Sequence, residues 1–169
     1  RKPYGSPIPK SFIRIADADR ALFATYYAPS RIRTRSAGVL LCNPFGEEAA
    51  RSHRSFRVLA LQLEKAGFPC LRFDYSCTGD SDGDESESDL DRWVHDTLLA
   101  AAELRRRTNQ SRVILVGLRL GGLIAAIASA SMGSAQRHLI LWDPVVSGAQ
   151  YLRELEGAHL AYLSEEMAG

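Results

Sequence analysis

The stretch "ILVGLRLGGL", Ile114 to Leu123, decides the fold of this 169-residue chain. Its first residues form a short apolar run suited to a buried strand, and "RLGGLIAAIASASM" continues with the composition of a buried helix. Gly117 and Gly121 bracket the junction two residues before and two after Arg119. A sharp strand-to-helix turn needs small residues there, because the strand and helix backbones pass close to one another while the central residue is held in a sparsely populated conformation. Gly122 further lets the helix pack close to the sheet. The pattern is that of a nucleophile elbow, with an arginine where a serine or cysteine belongs. "GLRLGG" fits neither GxGxxG nor GxxxxGK[ST], so a nucleotide cofactor is not indicated.

Working outward, strand and helix patterns alternate on both sides of this turn. "SFIRIA" and "ALFATYYA" alternate in polarity about "DADR" and read as an antiparallel hairpin after a Pro-rich lead-in; the basic loop "PSRIRTRS" follows. "AGVLLCN", residues 37–43, suits a buried parallel strand. From Ser52 or His53, Phe56, Leu59, Ala60 and Leu63 recur at helical spacing up to Gly67. "PCLRFDY", residues 69–75, predicts another strand, and a long helix follows through Leu90, Trp93, Val94, Thr97, Leu98, Ala101 and Leu104, with Ser88 and Asp91 as its expected capping box. "RVILVG" and "HLILWD" complete the strands, and "GAQYLRELEGAHLAYL" predicts a last helix. The expected fold is α/β: a three-layer, doubly wound, mostly parallel sheet, with residues 1–36 as lead-in and hairpin, 37–148 as parallel core and 149–169 as the start of a cap or lid helix.

Composition narrows the function classes. A net charge of +1 gives no basic footprint for nucleic acid, and no run approaches the ~20 apolar residues of a membrane span. Three cysteines, Cys42, Cys70 and Cys77, without CxxC spacing, point to free thiols in a reducing cytoplasm rather than to disulfides or zinc. Asp80, Asp82, Asp84 and Asp91 match positions 1, 3, 5 and 12 of a calcium loop, but Glu85 replaces the glycine its sharp turn needs, so no metal is expected. The chain opens Arg1-Lys2-Pro3 and stops in the helical "YLSEEMAG", so it reads as part of a longer protein.

In a doubly wound sheet, functional residues gather at the carboxyl edges of the strands. Four edges result: Asn43 to Arg54, Asp74 to Asp89, Gly117 to Gly122, and Asp143 to Gly148. "FDYSCTGDSDGD" is similar to the Asp-x-x-Gly-x-Gly-x-Ser-type loop after the fourth strand of serine aminopeptidase-like α/β-hydrolases, with Gly79, Asp80 and Ser81 in matching places. With "NPFGEEAARSH", "VGLRLGG" and "LWDPVVSGAQYL", the chain resembles the exosortase-associated hydrolase-like proteins of bacterial polysaccharide loci, from residue 12 onward. The resemblance implies an α/β-hydrolase fold whose last two strands, with the usual acid and histidine, fall outside this chain. It also implies two oxyanion-type backbone donors, the N–H groups of Phe45 and Leu120. Asp143, ending the sixth strand, is the candidate acid; His53, His95, His138 and His159 occupy structural or exposed positions.

A guanidinium stays protonated and cannot attack an acyl carbon, so serine-type hydrolysis through Arg119 is excluded. A cation at a helix N-terminus opposes the helix dipole and calls for a compensating anion. Asp74, Asp80 or Asp143 would supply it internally; a bound carboxylate or phosphate would supply it externally. The function classes left open are a hydrolase or acyl-transfer enzyme on ester, amide or thioester substrates with its nucleophile or activated water elsewhere, a non-catalytic module binding an anionic, acyl or glycan-linked group, and a structural role.

Overall fold

The computed structural model describes residues 10–18, 20–29, 34–134 and 137–168; the Pro-rich lead-in, the hairpin's Asp19 and half of the basic loop lie outside them. Six strands form one sheet: β1 (Lys10–Asp17), β2 (Arg20–Tyr27), β3 (Gly38–Cys42), β4 (Cys70–Phe73), β5 (Val113–Leu118) and β6 (Arg137–Trp142). Their spatial order is β1-β2-β4-β3-β5-β6. The β1–β2 hairpin pairs antiparallel with β4, and β4, β3, β5 and β6 run parallel. Order reverses between β3 and β5, the switch point at which such sheets place their sites.

The apolar run of β3 is buried at every residue because both faces of the sheet are covered. Leu40 and Cys42 face a cluster with Trp93, Ala100 and Leu104 of α2 (Leu90–Thr108) and Ile124 of α3 (Leu120–Ala130). Val39 and Leu41 face Phe56 and Ala60 of α1 (Gly46–Lys65) on the other side. Alternation along one strand thus builds both layers.

Three expectations change. Helix α1 begins at Gly46, two turns earlier than its apolar spacing indicates, because its first turns carry Glu47, Glu48 and Arg51 toward a cleft rather than into the core. The N-cap of α2 is Asp89, whose carboxylate accepts the Arg92 N–H at 2.7 Å, so the Ser88–Asp91 capping box does not form; Ser88 instead ends a short 3-10 turn, Glu85–Glu87. Helix α3 is not buried all round: Gly121, Gly122, Ile124, Ala125 and Ala128 pack inward while Ile127 is exposed.

The loop after β4 is fixed by its acidic residues. Asp82 accepts Arg14 and the Ala21 N–H, Ser81 donates to the Asp74 carbonyl, and Asp84 caps Ser86. Buried Asp96 accepts both the N–H and the hydroxyl of Ser76, each at 2.7 Å, and Trp93 Nε1 donates to the Ser76 carbonyl. Burial dominates at Asp96 and raises its carboxyl above the ordinary value despite those two donors.

Candidate functional site

The Ile114–Leu123 stretch makes the expected turn. Arg119 sits between β5 and α3 at φ 52°, ψ −120°, a conformation that L-residues rarely adopt. Its N–H donates to the Trp142 carbonyl, and its own carbonyl accepts the N–H groups of Gly122 and Val145, so the ends of β5 and β6 brace the strained residue. A Cβ on Gly117 would overlap the backbone of Gly121 and Gly122, and one on Gly121 would overlap the Cys42 and Asn43 carbonyls. At Gly122 it would meet Pro144 Cβ at 3.0 Å. The glycines therefore serve backbone passage, irrespective of the side chain displayed at 119.

That side chain is held by carboxylates. Nε donates to Glu48 Oε1 at 2.8 Å, Nη2 to Glu154 Oε2 at 2.7 Å, and Nη1 to Asp143 Oδ2 at 3.4 Å. The guanidinium carbon also lies 5.6 Å from the centre of the Tyr151 ring, whose hydroxyl donates to Glu48 Oε2 at 3.1 Å. Bonds to Glu48 and Glu154 raise the Arg119 pKa further, and the bond from Arg119 lowers that of Glu154. Burial next to Glu48 pushes the Tyr151 hydroxyl up to about 12. The dipole conflict of a cation opening α3 is thus met from within the chain.

Of the expected internal partners, only Asp143 reaches Arg119. Asp74 and Asp80 do not: Asp74 accepts the Asp80 N–H at 3.2 Å and lines a separate cleft behind α1. Glu48 and Glu154 take their place, together with Tyr151. Tyr151, Glu154, Leu155, Ala158 and Tyr162 recur at helical spacing on one face of α4 (Gly148–Ala168), a periodic signal that does point them at the site.

Phe45 and Leu120 lie where two helices begin. Phe45 caps α1 in an extended conformation, with its ring packed on Trp93 at 5.2 Å between centroids, and Leu120 is the first residue of α3. Phe45, Arg119, Tyr151 and Glu154 line a cleft of about 630 Å³ between α1 and α4, on which His159 also borders. His53 is in the second turn of α1 and His95 in α2, where its ring pairs with Asp17 at 3.1 Å; His138 lies in β6. No helix among the described residues is long and apolar enough to cross a membrane, and none of their His, Cys, Asp and Glu side chains group to hold a metal ion.

Known proteins match this architecture. An α/β serine hydrolase homologue from Coxiella burnetii superposes with a TM-score of 0.69 at 20% identity, over 82% of this chain and 64% of that one. A lidless α/β serine hydrolase from Xanthomonas campestris gives 0.66 at 19% identity, over 80% of this chain and 62% of that one. These likenesses show the fold. A 77-residue stretch is 46% identical to the human mitochondrial palmitoyl-protein thioesterase ABHD10, covering 43% of this chain and 24% of that protein. The chain therefore matches about a quarter of this curated relative's length. The family model described as serine aminopeptidase, S33, matches residues 33–167, and by the extent of that match the chain belongs to this family of α/β-hydrolases.

Proposed function

We propose that this chain carries the carbonyl-binding side of a hydrolase or acyl-transfer site for ester- or thioester-type substrates, and that residue 119 does not supply its nucleophile. The observation that carries this reading is the retained elbow: φ 52°, ψ −120° at Arg119, cleared by Gly117 and Gly121, at the mouth of a cleft. The N–H groups of Leu120 and Phe45 serve as the donors to a substrate carbonyl as negative charge develops on its oxygen. Asp143, the most exposed of the three carboxylates around Arg119, is the acid of the site. Turnover draws on a nucleophile or activated water from another residue. The matched stretch of a palmitoyl-protein thioesterase supports a thioester-type substrate, and the resemblance to exosortase-associated proteins extends the class to glycan-linked acyl groups. Three buried free thiols fit a reducing cytoplasm.

A second reading, a non-catalytic module that binds an acyl group, is favoured by one observation: the guanidinium is already engaged by Glu48, Glu154 and Asp143. Short- and medium-chain ester and thioester panels, run with wild type, Arg119→Ala and Arg119→Ser beside a fluorophosphonate probe, separate the two. Wild-type turnover that resists the probe supports the first. Saturable binding of a non-hydrolysable acyl analogue without turnover selects the second. Absence of both overturns the reading.

A further inference from the structure

Helix α1 separates two clefts that share no lining residue among those described. Behind the helix, against β2 and β4, lies an open cleft of about 680 Å³, within the size range of small-molecule sites. Ala49, Ala50, His53 and Arg57 form its helical wall, one side of α1 at the spacing that places residues on a common face. The sheet contributes Thr25, Tyr27 and Arg72, Asp74 follows β4, and Lys10 and Phe12 stand on β1.

Arg72 is the unusual member. Its Nε is buried without a hydrogen-bond partner, and its Nη1 reaches the Tyr27 hydroxyl only at 3.5 Å. Arg72 forms no ion pair among the described residues, though its charge acts on neighbouring Asp74; what sets it apart is the buried Nε without a partner. A buried guanidinium N–H left without a partner is costly, and its planar fork is suited to donating two parallel bonds to one carboxylate. Asp74 does not fill this role. Its carboxylate is turned to the Asp80 N–H and held close against Gly79, where a Cβ would overlap it.

Charge and shape limit what does. Lys10, Arg57 and Arg72 line the cleft together with Asp74 and Asp80, a surplus of one formal positive charge that favours a singly charged anion. Phe12 stacks on Phe23 at 5.7 Å and is 63% exposed, while Tyr27 is buried at the base of the cleft. We propose that the cleft between α1 and strands β2 and β4 is a second ligand site, for a small carboxylate carried on an apolar body, with Arg72 as its anchor and the Phe12–Phe23 pair as its apolar wall. This site is independent of the elbow.

Calorimetric titration of the intact protein with phenylacetate and octanoate tests it, with phenylacetamide and octanamide as uncharged counterparts. The expected result is saturable binding of the acids, weakened about 10-fold or more for the amides and in Arg72→Met. Arg57→Ala, a surface change that cannot disturb folding through the core, weakens binding about 2- to 5-fold, and Arg119→Ala leaves it unchanged. The proposal is overturned if no acid binds, if amides bind as well as acids, or if Arg119→Ala abolishes binding while Arg72→Met does not. Displacement by equimolar inorganic phosphate overturns the carboxylate assignment.

Discussion

Replacing Arg119 by glutamine removes the cation from a site that retains Glu48, Asp143 and Glu154. The Glu48 pair dominates the cost: the contact is 2.8 Å, and the side chains are 23% and 33% exposed, which places the pair at the upper end of surface ion pairs, about 1 kcal/mol. Asp143, at 3.4 Å and 72% exposed, adds at most a few tenths, ~0.2 kcal/mol, and Glu154, at 2.7 Å and 45% exposed, adds to the loss in the same sense. Relief of the unfavourable cation at the start of α3 returns about 0.5 kcal/mol. The variant is therefore less stable by roughly 0.5–1 kcal/mol at low salt, a melting shift of about 1–4 °C for a chain of this size. The backbone strain at φ 52° remains, since glutamine is no better suited to it than arginine. A double-mutant cycle with Glu48→Gln isolates the pair and should give a coupling near 1 kcal/mol that shrinks by more than half in ~1 M salt, where screening acts over about 3 Å. Acid has the same sense. Arg119 holds the Glu154 carboxyl below its ordinary value of 4.5, so that contribution is present above 4.5 and is lost as the pH falls through the lowered value. A coupling indistinguishable from zero at low salt, or a variant more stable than wild type there, refutes the ion-pair account of the elbow.

Other perturbations give sharper signs. Arg119→Gly should be more stable than Arg119→Ala by about 1–3 kcal/mol in denaturant unfolding, because both lose the ion pairs and only glycine sheds the strain. Gly121→Ala should destabilise by about 2 kcal/mol or more despite its helical position, since its Cβ overlaps the Cys42 and Asn43 carbonyls; Gly157→Ala, in open space within α4, should stabilise by about 0.5–1 kcal/mol. Asp96→Ala should cost about 2–3 kcal/mol by stranding the Ser76 N–H and hydroxyl. Because burial raises the folded Asp96 carboxyl, the protonation-linked part of its contribution is complete below 3.8 and is lost as the pH rises through the raised value; wild type should gain on Asp96→Asn as the solution is acidified. Native-state alkylation should leave Cys42, pushed up to about 12, and Cys70, pushed up further, unmodified until the chain unfolds.

What the sequence makes legible is local. Gly117, Arg119 and Gly121 identify the turn because its sterics act within a few residues, and the unbroken apolar run of β3 announces a strand covered on both sides. The start of α1 is hidden because the apolar period of a helix records only its core contacts, and Phe56 is the first residue of α1 to make one. The partners of Arg119 are hidden for another reason. Glu48 and Glu154 lie 71 and 35 positions away, and Glu48 meets Tyr151 across 103. A demand for negative charge can be read from one arginine, but which carboxylate meets it depends on how α1 and α4 converge. Asp74 and Asp80, carboxylates at a neighbouring edge, are directed elsewhere by the Gly79 turn.

The glycine-cleared elbow separates two properties that are easily taken as one. Clearance at Gly117 and Gly121, the bond from the Arg119 N–H to Trp142 and the one its carbonyl accepts from Val145 involve backbone atoms alone. Display at 119 is thus a property of the main chain, and the residue displayed can change its chemistry while the turn itself is kept. A family defined by such a turn inherits a pedestal, and membership in it carries no guarantee about the reagent placed on top.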